Sequence, residues 1–328
     1  MGKNKKKKNP KRAKQISWYN VGKRVLKYFA GIVICFLICW FYVYLYCDNR
    51  TSIQSDTSAT DTVGVFKLTR NDNGHCLVNL GKQEMNKPLP IETLFTIDTG
   101  STGNSITQET FNLLQREGYH IEEHFYTAFC RDALGNVQYI DKVFLISFPL
   151  ENGITIKDVR FNISDSNILG VEFLKNFYVE ICQNKRRVIL HHSMPQDYNH
   201  KISLDRFNWS FIDMSGRYYW TFPLNGKSHK FFVDTAKGVH GVYALVRDFS
   251  GDAPLQYLGT NVHTGTKLWG HIGETEFDTG QYTIFSQVDY SDAYATDYAV
   301  NPLHLRDKNG MRPFDILLAL NQNAMFLR

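Results

Sequence analysis

Apolar and polar residues alternate in short runs through most of residues 63–328, and Gly, Asn and Asp separate the runs. This pattern predicts an all-β fold, because successive side chains of a strand point to opposite faces. Val65-Phe66-Lys67-Leu68 and Cys76–Leu80 flank Asn71-Asp72-Asn73-Gly74 and read as a hairpin. Leu94-Phe95-Thr96-Ile97 reads as a buried strand that runs straight into Asp98-Thr99-Gly100-Ser101. From Thr107 to Glu117 the spacing turns helical, with Phe111, Leu113 and Leu114 apolar, an N-cap at Ser105 or Thr107 and a stop at Gly118. Strands are then predicted at Phe125–Cys130, Val137–Ile140, Val143–Phe148 and Ile154–Phe161, with a turn around Gly135. Ile168-Leu169-Gly170 follows, and then strands at Tyr178–Ile181 and Arg187–His191.

The same order recurs after the polar segment Met194–Lys201. Phe211-Ile212 and Tyr218–Phe222 take the place of the opening hairpin, and Lys230–Val233 runs into Asp234-Thr235-Ala236-Lys237-Gly238. Gly265 marks the counterpart of the Gly135 turn, and Phe314–Ala319 is aligned with Ile168-Leu169-Gly170. A repeat of this kind predicts two lobes of one design, here 63–196 and 203–328. A further Asp278-Thr279-Gly280 has only Phe277 before it and falls between two strands, so it reads as a β-turn.

The N-terminal region has a different pattern. Tyr28–Cys47 is a run of twenty residues without a charge, and a helix of that length spans the roughly 30 Å of a bilayer core. Trp40, Tyr42, Tyr44 and Tyr46 fit an interfacial belt, and Leu45–Asp48 offers no small-residue cleavage site for a signal peptide. The expected order is a basic cytoplasmic tail (1–27), a single transmembrane helix (28–47) that contacts membrane lipid, and a flexible stalk (48–62). The folded part is then extracytoplasmic, in the periplasm or on the cell surface if the source is bacterial.

Charge changes the picture only once it is divided. Eleven of the 37 basic residues lie in 1–47, which holds no acid, so the rest of the chain carries 26 basic against 32 acidic residues. The overall +5 is therefore a property of the tail, and a nucleic-acid partner is not expected. Of six cysteines only Cys76, Cys130 and Cys182 lie clear of the apolar run, too few for a disulfide framework. No His/Cys cluster has metal-ligand spacing, so neither metal nor cofactor is expected.

The strand into Asp98-Thr99-Gly100-Ser101, the Ile168-Leu169-Gly170 element ending 72 residues after Asp98, and the second frame at Asp234 make residues 63–328 resemble the retropepsin- or pepsin-like aspartic proteases. The resemblance implies a mainly β protein of two pseudo-symmetric retropepsin-like β-barrel lobes, with one catalytic carboxylate from each, Asp98 and Asp234. It also implies that Thr99 and Thr235 bond across to the opposite lobe, that Gly100 permits close approach, and that Ser101 orients Asp98. Gly135 and Gly265 would sit on flaps over a bound peptide or protein substrate. Two adjacent carboxyls cannot both ionise cheaply, so one keeps a proton and the other acts as base on a shared water.

The second frame departs from this pattern. Ala236 stands where Gly is usual, Lys237 replaces a small residue, and Leu318 stands against Gly170. Only ten residues follow Leu318, so the second half is expected to be degenerate. Two alternatives to a membrane-anchored aspartic endopeptidase stay open. One is an inactive protein that binds peptides or partner proteins between the lobes. The other is a homodimer that pairs Asp98 with its own copy.

Overall fold

The computed structural model describes residues 18–47, 52–55, 61–80, 93–131, 137–150, 152–207, 217–260, 267–292, 298–308 and 312–328. The chain divides into two units, 1–49 and 50–328. In the first unit a 30-residue helix, α1, runs over Trp18–Cys47 and contains the expected span. Among the described residues no helix is long and apolar enough to cross a membrane. The side chains described on α1 are those of 25–39, and all are exposed.

The second unit is mainly β. Its first half contributes β1 (Ser52–Ser55), β2 (Thr62–Lys67), β3 (Thr69–Arg70), β4 (Cys76–Val78), β5 (Phe95–Ile97) and β6 (Ser105–Ile106). After helix α2 (Gln108–Arg116) come β7 (His120–Arg131), β8 (Val137–Pro149), β9 (Ile154–Ile163) and β10 (Ile168–Leu169). The short helix α3 (Val171–Leu174) then leads to β11 (Tyr178–Cys182) and β12 (Arg187–His191). The second half contributes β13 (His200–Ser203), β14 (Asp205–Phe207), β15 (Arg217–Leu224), β16 (Lys227–Val233), β17 (Val242–Ala244) and β18 (Gln256–Thr260). It continues with β19 (Lys267–Asp278), β20 (Thr283–Tyr290), β21 (Ala299–Val300), β22 (Arg306–Asp307), β23 (Ile316–Ala319) and β24 (Ala324–Leu327).

Two sheets repeat one strand order. The first runs β3-β4-β5-β10-β6-β9-β8-β7 and the second β14-β15-β16-β21-β17-β20-β19-β18, so they match strand for strand. Among the described residues neither closes into a barrel, which corrects the expected barrel lobes to open sheets. A third sheet, β13-β24-β23-β11-β12-β2, takes three strands from each half and joins them where β11 pairs antiparallel with β23. One apolar core runs through both halves, from Phe95, Ile97 and Phe148 to Phe222, Phe231 and Val233.

Three sequence expectations change here. The Phe314–Ala319 segment does not match Ile168-Leu169-Gly170; β23 and β24 instead stand where β11 and β12 stand in the first half. The counterpart of Ile168-Leu169 is β21, Ala299-Val300, and Asn301 takes the place of Gly170. The expected degeneracy from a missing end therefore falls away, because the final residues complete the joining sheet. The expected flexible stalk contains β1, which pairs with Ile154–Lys157 of β9. The Phe211-Ile212 strand lies outside the described residues, and β14 pairs with β15 in the opening hairpin.

Candidate active site

Both candidate carboxylates leave the ends of matched strands. β5 pairs in parallel with β10 (Thr96 with Ile168, Ile97 with Leu169), and β16 pairs in parallel with β21 (Phe232 with Ala299, Val233 with Val300). The next bond in each ladder fixes the backbone of the aspartate itself. The Asp98 amide donates to Leu169 O at 3.0 Å and the Asp234 amide to Val300 O at 2.9 Å. Beneath the first turn, a Cβ on Gly170 would lie 2.1 Å from Gly103 O, so only glycine fits there. Its amide donates to Asn104 Oδ1 at 2.9 Å. At the matching place in the second half, the Asn301 amide donates to Gly241 O at 2.7 Å and its Nδ2 to Lys237 O at 2.9 Å.

The two turns are tied together by their threonines. The Thr99 amide donates to Thr235 Oγ1 (3.0 Å) and the Thr235 amide to Thr99 Oγ1 (3.1 Å). Each hydroxyl then donates onward, Thr99 to Val233 O at 2.9 Å and Thr235 to Ile97 O at 2.8 Å. Both residues are buried, so all four bonds are made away from water. Net worth of about 1 kcal/mol for each such bond makes this cross-tie a firm hinge point for the pair.

That tie brings the carboxyls into contact. Asp98 Oδ1 accepts from the Gly100 amide at 2.7 Å and the Ser101 amide at 3.2 Å, whereas Asp234 Oδ1 accepts from the Ala236 amide at 3.0 Å. Burial pushes the Asp98 pKa up to about 8, helped by the Asp234 charge and by a hydrogen bond between the two carboxyls, with the Gly100 and Ser101 amides opposing. The pair therefore holds one proton well above the usual carboxylate range.

The second turn carries groups that the first lacks. Ala236 does not adopt a positive φ, so its Cβ is accommodated, whereas Gly238 sits at φ +42° with Tyr243 Oη where a side chain would go. Tyr243 donates from its hydroxyl to Lys237 O at 2.9 Å and accepts from the His240 amide at 3.1 Å. The Lys237 ammonium lies 5.5 Å from the centre of the Tyr243 ring. Burial pulls the Lys237 pKa down, and the charges of Asp234 and Asp289 oppose it. His240 Nδ1 meets buried Asp289 Oδ1 at 2.6 Å. His75 approaches from the β3–β4 hairpin; burial lowers its pKa and Asp234 opposes.

Of the residues expected from sequence, Asp98, Thr99, Gly100, Asp234 and Thr235 come together here. The expected role of Ser101 is corrected: its hydroxyl donates to Gly103 O at 3.0 Å, and only its amide reaches Asp98. Gly135 and Gly265 lie outside the described residues. Asp278-Thr279-Gly280 forms the β19–β20 turn, with the Gly280 amide donating to Asp278 Oδ1 at 2.7 Å. From sequence alone His75 and His240 read as scattered surface or structural residues, and nothing singles out Tyr243, Asp289 or Asn301. Ser105 and Tyr243 hold matching register against β10 and β21, yet they follow their aspartates by 7 and 9 residues, so the second loop is longer, a difference that shows only once the strands are paired. A surface cavity of about 350 Å³ bounded by Lys201, Asp205, Tyr219 and Asp278 contains neither carboxyl of the pair.

No family model matches the chain, and no curated protein matches it. Among solved structures it is similar to basic 7S globulin from soybean, at 7% identity over 82% of this chain and 95% of that one, with a TM-score of 0.46. It is also similar to conglutin gamma, a basic 7S globulin from lupine seeds, at 8% identity over the same shares, with a TM-score of 0.45. These findings correct the expected assignment to the retropepsin- or pepsin-like proteases. No family model places the chain there.

Proposed function

We propose that the chain is an endopeptidase that hydrolyses peptide bonds with a water held between Asp98 and Asp234. The supporting observation is the threonine cross-tie, which sets two carboxyls in hydrogen-bond contact with one proton between them. The ionised carboxyl takes a proton from the water as its oxygen bonds to the scissile carbonyl carbon, and the protonated carboxyl gives its proton to the carbonyl oxygen. The resulting gem-diol collapses when one hydroxyl returns its proton to the second carboxyl. The C–N bond breaks, and the amine leaves with the proton held by the first. Atoms and charges balance over the cycle, and the pair ends with one proton.

In this reading the two matched sheets are lobes on either side of a peptide-binding cleft, and the apolar part of α1 is a single-pass anchor that leaves the folded unit outside the cytoplasm. Both carboxyls come from one chain, so the reading needs no second copy. A binding-only role is the alternative, favoured by Lys237 in the second turn.

The test incubates the full-length protein with a peptide library between pH 4 and 9 and reads new termini by mass spectrometry. Cleavage by the wild type, lost by about 100-fold or more in both Asp98→Asn and Asp234→Asn, supports hydrolysis. Peptide binding without cleavage at any pH leaves only the alternative.

A further inference from the structure

We propose that the slot between β13 and β15 is a docking site for an extended segment of a partner protein. The segment adds as a strand of alternating apolar and acidic residues and sets a carboxylate against Lys201. Neither carboxyl of the Asp98–Asp234 pair lines this slot, so the inference stands apart from the hydrolytic reading.

The slot exists because a strand pairing stops early. β14 pairs with β15 through Asp205 with Tyr219, Arg206 with Tyr218 and Phe207 with Arg217. Carried on in the same register, Ser203 would meet Thr221, Ile202 would meet Phe222 and Lys201 would meet Pro223. Those six residues instead line the cavity of about 350 Å³, so the two strands part at Leu204 and leave a gap between them. At the fork the Leu204 amide donates to Asn323 O at 2.8 Å, and His200–Ser203 pair with Ala324–Leu327 in the joining sheet.

Two strand edges border the gap. β13 is the last strand of the joining sheet, and its other side has no strand neighbour among the described residues. Among those residues Trp220–Leu224 pair with β16 alone. Alternate residues on each edge therefore have amide and carbonyl groups left for an added strand. The first half closes the matching place. There the chain passes from β2 to β3 at Leu68, whose amide donates to Arg186 O at 2.9 Å, and the β8–β9 turn reaches β2 through Asn152 Nδ2 to Val63 O at 3.0 Å. The β19–β20 turn bonds within itself, Thr279 Oγ1 to Tyr282 O at 2.9 Å, and makes no hydrogen bond to β13 among the described residues.

The side chains name the occupant. Burial alternates along both strands, with Ile202, Trp220 and Phe222 buried and Lys201, Ser203 and Thr221 exposed. A strand laid between them keeps that alternation, apolar inward and polar outward. Of the charged side chains at the slot, Asp205 is paired with Lys230 at 3.1 Å, and Asp278 accepts the Gly280 amide at 2.7 Å. The Lys201 ammonium has no ion-pair partner among the described residues, so an acidic residue suits the outward row beside it.

The experiment titrates a fluorescein-labelled peptide of alternating valine and glutamate into the full-length protein and reads fluorescence polarisation. A backbone N-methylated copy and a valine–lysine copy are compared with it. Binding that N-methylation weakens about tenfold or more supports strand addition. In Lys201→Glu the glutamate peptide should bind about tenfold more weakly and the lysine peptide more tightly. Hydrogen exchange should slow at 200–204 and 219–224 when the peptide binds. Asp98→Asn should bind the peptide with wild-type affinity whether or not the wild type hydrolyses peptides, and a changed affinity would place the peptide elsewhere and overturn the proposal. No binding up to about 1 mM peptide, or equal binding of the N-methylated copy, also overturns it. A wild-type dimer that forms without peptide and is lost in Lys201→Glu does so as well, since a second copy of the chain then fills the slot.

Discussion

The carboxyl of Asp234 occupies the space that a side chain on Gly100 would need. A Cβ at residue 100 would lie 2.6 Å from Asp234 Cγ and 2.7 Å from each carboxyl oxygen. The glycine of the first turn is thus required by the aspartate of the second, across 134 residues of sequence.

Gly100→Ala should therefore push the Asp234 carboxyl away from Asp98. Misplacement of about 1 Å at such a site costs on the order of 100-fold in rate. Ala236→Gly, at the matching place, should change the rate little, because Ala236 does not adopt a positive φ. Peptide cleavage by the two variants checks this, and equal losses in both would contradict the asymmetry.

The threonine cross-tie gives a stability prediction. Thr99→Val removes the donor to Val233 O and the acceptor of the Thr235 amide, which leaves two buried groups unpaired. About 2–4 kcal/mol of stability should be lost, and the same holds for Thr235→Val. The double variant should lose less than the sum, since the turns are already loosened by the first change. Urea unfolding of the three variants measures this, and full additivity would show that the two threonines act independently.

The raised pKa of Asp98 has a defined pH signature. Its folded value of about 8 lies above the ordinary value of 3.8, so the folded state holds a proton that the unfolded chain releases between those pH values. The stability this contributes is fully present below about pH 4 and is lost as pH rises through about 8. Asp98→Asn removes the titration. The variant should lose less stability than wild type between pH 5 and pH 8, and equal losses by denaturant unfolding would count against the shared proton.

Glu180 on β11 makes the opposite prediction. It is buried, and burial alone would raise its pKa. Bonds from Cys182, His191 and Tyr198 and the charge of Arg328 outweigh that and hold it below the usual carboxylate range. Its contribution to stability is present above the ordinary glutamate pKa and is lost as pH falls through the depressed folded value. Glu180→Gln should flatten the acid side of the stability curve, and an unchanged acid midpoint in a thermal scan would refute this.

The strand into Asp98 and its repeat at Asp234 were legible because a turn that sets a carboxyl at the centre of the fold needs a buried strand before it, and Phe95, Ile97, Phe231 and Val233 write that requirement into the sequence. The Gly170 counterpart was not legible. Asn301 meets the same backbone need by other bonds, so the apolar-apolar-Gly spelling is absent from the second half. Phe314–Ala319 resembled it only because its strand, Ile316–Ala319 in the joining sheet, is buried on both faces and reads as an unbroken apolar run. The grouping of the histidines was hidden for a different reason. His75, His240 and His304 are far apart in sequence, and His75 joins the other two only because the β3–β4 hairpin packs against His304 and Val239 of the second half.

The β11–β23 seam has a consequence for how the chain can be divided. Val179, Glu180 and Ile181 are matched with Leu318, Leu317 and Ile316, so each half completes the other's ladder through its last strands. Severed anywhere between 193 and 199, the protein would yield two fragments with sticky, unzipped margins that seek one another. Neither piece would carry both carboxyls; Asp98 and Asp234 would meet again only on reassembly.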